Sequence, residues 1–130
     1  MSGIKSKNTK PERLIRQGLH RRGMRFRLHD SRLPGRPDLY LPRFSAAIFI
    51  DGCFWHGHDC KYFKLPQTNE QFWKSKIQAN KNRDSITRSQ LENLGIRILA
   101  VWECETRTSM KEIEILLDKI EAWIKKVHSN

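Results

Sequence analysis

The spacing of apolar residues along the chain predicts three helices. The first begins at the capping box Thr9-Lys10-Pro11-Glu12 and should end near residue 22, before a glycine. A second capping-box candidate at residues 68–71 predicts a long, mostly polar helix that continues to about residue 94. The third covers about residues 109–127 and has an apolar stripe suited to packing on a sheet. The residues expected to be buried in the first and last helices are Leu14, Ile15, Leu19, Ile113, Leu116, Leu117, Ile120, Trp123, Ile124 and Val127.

Four short apolar segments, at residues 24–28, 38–41, 46–50 and 96–102, predict strands. The first alternates apolar and basic side chains, which is typical of a strand with one wet face, whereas the third is apolar throughout and therefore favours a central position. Proline and glycine mark residues 31–37 as a turn. The order αβββαβα predicts an α/β fold with a small mixed sheet, in one domain that spans residues 1–130 and has a flexible lead-in at residues 1–8.

The charge of the chain indicates a class of function in addition to a fold. The formal net charge is +11 and the pI about 10.0, which favours a polyanionic partner such as nucleic acid, although membrane surfaces and ribosomes also attract basic proteins. Lysine and arginine are spread along the whole sequence, which indicates a folded basic surface. No apolar run is long enough for a membrane span and no signal peptide is recognisable, so the expected location is the cytoplasm.

Three cysteines and a histidine have the chemistry of a zinc site. Cys53, His58 and Cys60 lie in the loop after the third predicted strand, and Cys104 follows the fourth, whose end would neighbour that loop. A Cys3His set gives closed tetrahedral coordination of the kind found in structural sites. His56 competes with His58 as the nitrogen ligand, and the alternative is three buried cysteines that only pack.

Carboxylates at predicted strand ends suggest a second, magnesium-binding site. Asp38 begins one strand and Asp51 follows the next, so the two could share a cation that binds a phosphate oxygen and activates water. Glu12 on the first helix is a third candidate. If His58 binds zinc, His56 could act as a general base or stabilise the phosphate. The alternative for Asp38 is an ordinary turn or cap residue.

Aromatic residues near these groups have two interpretations. Phe54 and Trp55 stand beside the metal-ligand candidates, and Trp73 lies at the start of the basic second helix. Aromatic side chains on a basic surface can stack on bases or wedge between base steps. The alternative is packing in the core, which we expect for Trp123 of the last helix.

Three segments resemble the very-short-patch-repair (Vsr) DNA mismatch endonucleases. They are Pro34-Gly35-Arg36-Pro37-Asp38, Gly52-Cys53-Phe54-Trp55-His56-Gly57-His58-Asp59-Cys60 and Val101-Trp102-Glu103-Cys104. The resemblance implies a restriction-endonuclease-like fold of the PD-(D/E)xK class and a magnesium-dependent nick in double-stranded DNA beside the thymine of a T:G mismatch, the product of 5-methylcytosine deamination. It also implies a bacterial, nucleoid-associated protein, expected as a monomer, with mismatch-repair proteins such as MutL as further partners.

The resemblance assigns a role to each matched residue. Asp38 would bind magnesium, His56 would be the catalytic histidine, and Glu12 would support the site. Asp51 departs from the pattern, because the best-known members have histidine there, so it is either an additional metal ligand or a charge that repels the scissile phosphate. Structural zinc would be held by Cys53, His58, Cys60 and Cys104, and the aromatics inserted beside the mismatch would be Phe54, Trp55 and Trp73.

Two other functions fit the same residues. A related nuclease could nick DNA without a preference for mismatches. A catalytically silent zinc-containing module could bind DNA without cutting it, and Asp51 makes this conceivable.

Overall fold

The computed structural model describes residues 9–53 and 65–126. A 3-10 turn at Pro42–Phe44 joins two of the strands. None of the helices described is long and apolar enough to cross a bilayer. The remaining elements of these two ranges, in chain order, are α1 (Lys10–Arg21), β1 (Arg27–Leu28), β2 (Leu39–Leu41), β3 (Ala46–Asp51), α2 (Glu70–Asn93), β4 (Arg97–Trp102), α3 (Glu103–Thr106) and α4 (Met110–Lys125).

The four strands form one mixed sheet in the order β1-β2-β3-β4. The first three pair antiparallel through short connections, whereas β4 lies parallel to β3, as the intervening helix α2 requires. The strand β3 is central, as its unbroken apolar sequence predicted. The α/β class is confirmed, and the mixed sheet with flanking helices fits the restriction-endonuclease-like fold that the resemblance implied.

Alternating side chains of the sheet build two cores. On one face, the even-numbered residues of β3 pack with α1 and α4, and this cluster includes Ile15, Leu19, Ile48, Leu117 and Ile124. On the other face, the odd-numbered residues pack under α2, in a smaller cluster built on Ala47, Leu91 and Ile96. Because side chains alternate along β3, the residue number decides which helix each side chain faces. Asp51, at the end of the strand, is odd-numbered and therefore lies on the face that α2 covers.

Helix α1 forms as predicted. The Thr9 hydroxyl accepts a hydrogen bond from the Glu12 backbone N–H at 3.4 Å, and Pro11 lies in the first turn. At α4, the Ser109 hydroxyl accepts from the N–H of Glu112 at 3.2 Å in the same way. Both caps are local interactions, which explains why the sequence places these two helices to within about two residues.

Three predicted details were wrong. The first strand is only two residues long, because the chain leaves the sheet before Arg27 and Met24 enters the core instead. The second capping box does not form at Thr68, since Asn69 occupies the N-cap of α2 in a left-handed conformation without a side-chain cap hydrogen bond. The helix α3 was not predicted, and the Trp102 N–H donates to its Glu105 carboxylate at 2.8 Å.

The turn before β2 packs closely against α2. Gly35 has a φ of 74°, and a Cβ atom placed on it would overlap the Thr87 side chain. A residue with a side chain would therefore meet both left-handed backbone strain and a steric clash. Gly35 thus allows the turn that leads into Asp38 to lie against the helix.

We expect Gly35→Ala to lower the free energy of unfolding in urea by at least about 2 kcal/mol. Gly95→Ala is the matched control, because Gly95 has a similar φ of 79° and open space around it, so it should lose only about 1 kcal/mol. Adding Thr87→Ser to Gly35→Ala removes the obstructing methyl group and should restore part of the difference. Equal losses for the two glycine variants would contradict this account of the turn.

Candidate functional site

Strand directions bring the candidate residues to one end of the sheet. The parallel strands β3 and β4 both finish there, β1 finishes there as well, and β2 begins there. His29 therefore follows β1, Asp38 precedes β2 and Asp51 ends β3 at the same end. Helix α1 passes beside it, so that its first turn contributes Glu12.

Glu12, His29 and Asp38 form a compact cluster at this end. The Nε2 atom of His29 lies 3.1 Å from Oε2 of Glu12 and 3.4 Å from Oδ1 of Asp38. One ligand atom from each of the three residues lies within 4.8 Å of the other two. This is a spacing at which the three could bind a single cation.

The backbone fixes the direction of each side chain in the cluster. The Asp38 carboxylate accepts the N–H of Ile50 at 2.7 Å through Oδ2, and Asp38 directly precedes Leu39, the first residue of β2 that pairs with β3. His29 has a φ of 47°, a left-handed conformation that histidine adopts more readily than most residues. Because His29 leaves the strand conformation at this point, its ring lies against the two carboxylates.

The electrostatics of the cluster favour a positive ligand. Glu12 is fully buried, and its charge is partly offset by Arg16 at 3.2 Å. Burial raises the pKa of Asp38 to about 7, the Ile50 N–H opposes this rise, and the negative charges of Glu12 and Asp51 add to it. A divalent cation would relieve the repulsion among these carboxylates, and carboxylate oxygens are the ligands that magnesium prefers.

The Asp51 carboxylate has a different environment. It is buried, and its Oδ2 atom lies 3.0 Å from a guanidinium nitrogen of Arg88 on α2. The same guanidinium lies over the ring of Phe49, at 5.6 Å from the ring centre. Asp51 is thus at the same end of the sheet as Asp38, and its charge is paired.

Comparison with known proteins places these residues in a family. A family model described as DNA mismatch endonuclease Vsr matches residues 1–62. The DNA mismatch endonuclease Vsr of Escherichia coli (strain K12) is 42% identical over 125 residues, which are 95% of this chain and 80% of that protein. The chain belongs to the Vsr family of DNA mismatch endonucleases. It is therefore an enzyme of the nuclease class.

Two further relatives carry the name of nicking enzymes. The type II nicking enzyme V.XorIIP of Xanthomonas oryzae pv. oryzae is 45% identical over 105 residues, 81% of this chain and 77% of that protein. The type II nicking enzyme V.NmeAIP of Neisseria meningitidis is 43% identical over 107 residues, 82% of this chain and 76% of that protein. This chain is thus similar both to a protein named a DNA mismatch endonuclease and to proteins named nicking enzymes.

The structure brings together only some of the residues that the sequence singled out. Glu12 and Asp38 meet in the cluster, and Asp51 lies at the same end of the sheet but pairs with Arg88. Cys53 and Cys104 each lie two residues beyond the paired positions Asp51 and Trp102, so the parallel register brings them to this end as well. Phe54, Trp55, His56, His58 and Cys60 lie outside the described residues.

Trp73 is at the first turn of α2, as predicted, and is half-buried. Its ring packs edge-to-face on Phe72, with ring centres 5.1 Å apart. The Phe72 side chain is 58% exposed, which is unusual for a large aromatic. By sequence, Phe72 is simply one of the sparse apolar residues of this helix, whereas in the structure it contributes an exposed aromatic surface next to Trp73.

Sequence reasoning missed His29, Arg16 and Arg88. His29 could have been found by pairing the first two predicted strands, because the register that pairs Leu28 with Leu39 places His29 opposite Asp38. Arg16 lies one helical turn after Glu12, which is the spacing of a helical ion pair. Nothing in the local sequence indicates Arg88, since its partner is 37 residues away.

The raised pKa of Asp38 predicts a specific dependence of stability on pH. Folding favours the protonated carboxyl, so this contribution is fully present below pH 3.8 and is lost as the pH rises through about 7. In metal-free buffer with a chelator, Asp38→Asn should therefore have a higher Tm than the wild type at pH 8, and a smaller advantage at pH 5.

The control for this measurement is Asp118→Asn, on the exposed face of α4. Asp118 pairs with Arg22 at 2.6 Å, so its loss should leave Tm unchanged or lower it. If Asp38→Asn were no more stable than the wild type at pH 8, the destabilising effect assigned to the ionised Asp38 carboxylate would be wrong.

Proposed function

We propose that this chain is a magnesium-dependent endonuclease that nicks double-stranded DNA beside the thymine of a T:G mismatch. The observation that carries the proposal is the Glu12/His29/Asp38 cluster, which lies at one end of the sheet in a member of the Vsr family. Asp38 belongs to the Pro-Gly-Arg-Pro-Asp segment on which the family resemblance rests.

The residues of the cluster fit a magnesium ion. Glu12 and Asp38 would hold it through carboxylate oxygens, with His29 as a third ligand or as the group that orients both carboxylates. When bound, magnesium supplies positive charge to a phosphate oxygen and lowers the pKa of water. The Ile50 N–H holds Asp38 in place before the ion arrives, and Arg16 offsets part of the charge of Glu12. His56 is the proposed general base.

DNA as the partner is supported by charge and by exposed aromatic surface. The net charge of +11 gives a strong, salt-dependent attraction to phosphates. The Phe72 and Trp73 pair lies at the start of α2, where an exposed aromatic edge could stack on a base. Phe54 and Trp55 are proposed to insert beside the mismatch, as the family resemblance implies.

Structural zinc is part of the proposal. Cys53 and Cys104 follow neighbouring parallel strands by the same number of residues, which is a suitable arrangement for two ligands of one ion. His58 and Cys60 would complete the tetrahedral set. A closed site of this kind would fix the loop after β3 without taking part in the chemistry.

The second candidate is a nuclease that nicks without preference for a mismatch. The names of two relatives favour it, because they describe nicking enzymes and mention no mismatch. The two candidates share the catalytic cluster and differ only in how the DNA is selected. Matched duplexes therefore separate them.

We expect Asp38→Ala to abolish nicking of a T:G duplex in magnesium, because it removes a carboxylate ligand from the cation site. The variant should retain the far-UV circular dichroism of the wild type. Wild-type nicking should be much faster on the T:G duplex than on a T:A duplex of the same sequence, and should stop when magnesium is chelated. Nicking by Asp38→Ala at the wild-type rate would refute the catalytic assignment, and equal rates on the two duplexes would favour the second candidate.

Elemental analysis of the purified protein should find about one zinc per chain, as a closed four-ligand site requires. Cys104→Ser should reduce this content and lower the thermal stability, since structural zinc contributes directly to the stability of the folded state. A wild-type protein that contains no zinc would rule out the structural site and leave the magnesium site unaffected.

A further inference from the structure

We propose that the cation site formed by Glu12, His29 and Asp38 binds divalent transition-metal ions more tightly than Mg²⁺, because His29 supplies it with a nitrogen ligand. This inference rests on the cation site of the proposed function and adds the class of ion that the site prefers. The two carboxylates would still hold Mg²⁺, whereas a transition-metal ion such as Mn²⁺ would gain a bond to the imidazole.

The ring nitrogen of His29 that faces the cluster lies close to both carboxylates. Its Nε2 atom is 3.1 Å from Oε2 and 3.2 Å from Oε1 of Glu12, and 3.4 Å from Oδ1 of Asp38. Ligand atoms in adjacent positions of an octahedron with bonds of about 2.1 Å lie about 3 Å apart. Nε2 can therefore share an ion with one oxygen of each carboxylate without a large movement of the side chains.

The two oxygens of Asp38 have different surroundings. Oδ2 accepts the Ile50 N–H at 2.7 Å, whereas Oδ1 is the atom that lies 3.4 Å from His29. The side chains of His29 and Asp38 are 19% and 14% exposed, and that of Glu12 is 2% exposed. Solvent therefore reaches the cluster at His29 and Asp38, where a bound ion could keep some of its water.

The alternative role for His29 is to orient the carboxylates by donating a hydrogen bond through Nε2. A single N–H can point in line with only one acceptor, and a hydrogen bond weakens steeply when it is bent. Nε2 faces carboxylates from two separate parts of the fold, Glu12 on α1 and Asp38 before β2. A cation can be bound by all three groups at once, so this arrangement favours the ligand role.

The chemistry of the ligand set decides which ions benefit from it. Mg²⁺ is a hard ion that binds oxygen atoms and keeps several waters, so an imidazole adds little to its affinity. Imidazole is a better ligand for divalent transition metals, whose affinities rise from Mn²⁺ to Cu²⁺. Mn²⁺ is the most suitable probe, because it stands at the weak end of this series and competes least for the thiolates of the proposed zinc site.

The test measures the binding of Mn²⁺ and Mg²⁺ to the full chain without DNA. Electron paramagnetic resonance of free Mn²⁺ gives its Kd, and competition by Mg²⁺ in the same samples gives the second Kd. His29→Asn should weaken Mn²⁺ binding about tenfold and Mg²⁺ binding by less than about threefold. Asparagine is chosen because it tolerates the left-handed backbone at His29, where φ is 47°.

A second readout detects the nitrogen ligand directly. Electron spin echo envelope modulation of bound Mn²⁺ should show the nitrogen coupling of a coordinated imidazole in the wild type, and His29→Asn should lose this coupling. His29→Gln replaces His29→Asn if urea unfolding shows that the first variant does not fold.

The matched control is His20→Asn. His20 is exposed in the last turn of α1, about 12 Å along the helix from Glu12. Its replacement removes an imidazole that is far from the cluster, and should leave the nitrogen coupling and both metal affinities unchanged.

The outcomes separate this inference from the proposed function. Loss of the nitrogen coupling and of the preference for Mn²⁺ in His29→Asn, but not in His20→Asn, supports the inference. If the wild type binds both ions but shows no nitrogen coupling, or if His29→Asn keeps the coupling or weakens both ions by the same factor, the ligand role is overturned and the cation site stands. A wild type that binds neither ion overturns the cation site and this inference with it.

Discussion

The candidate site depends on the pairing of β3 along both of its edges. Antiparallel β2 on one side and parallel β4 on the other fix which residues share the end of the sheet. The carboxylate of Asp38 extends this pairing, because it accepts the N–H of Ile50 just before β2 begins. A side chain that accepts a hydrogen bond from a strand N–H has fewer accessible orientations than a side chain free in solvent. This gives Asp38 a defined direction before any ligand binds.

The carboxylates of Glu12, Asp38 and Asp51 lie near this end of the sheet, and they are compensated in different ways. Glu12 has Arg16 and His29, Asp51 has Arg88, and Asp38 has the Ile50 N–H and the imidazole of His29. The negative charge that is least compensated is therefore on Asp38, whose pKa is about 7. Folding opposes the ionisation that cation binding requires, so the site stores unfavourable energy that a divalent cation can release.

The sequence was informative where structure is decided locally. The capping box at Thr9, the apolar run of β3 and the stripe of the last helix each specify an element through residues close together in the chain. The same local reasoning failed at Thr68, where a left-handed Asn69 begins the helix instead. A capping-box sequence alone does not determine the backbone conformation at the start of a helix, because the preceding loop also determines how the chain enters that helix.

The contacts of the site required information that no single segment holds. His29 meets Asp38 only through the hairpin register and a positive φ, and neither can be read from its own neighbours. Arg88 could not be linked to Asp51, because nothing local in a long polar helix shows which turn crosses the end of a distant strand. The family resemblance identified Glu12 and Asp38, but it carried no information about Arg88, since Asp51 is the position at which this chain departs from the family pattern.

The ion pair between Asp51 and Arg88 has a consequence for how related sequences can diverge. Replacing Arg88 alone removes a cation that compensates a buried carboxylate, whereas replacing both residues removes the carboxylate as well. Substitutions at the two positions should therefore be correlated among related sequences, so that the acidic and the basic residue are present together or absent together. A homologue with a neutral side chain at the position of Asp51 would have no electrostatic reason to keep a cation on the facing turn of the helix, and that turn would be open to apolar replacements.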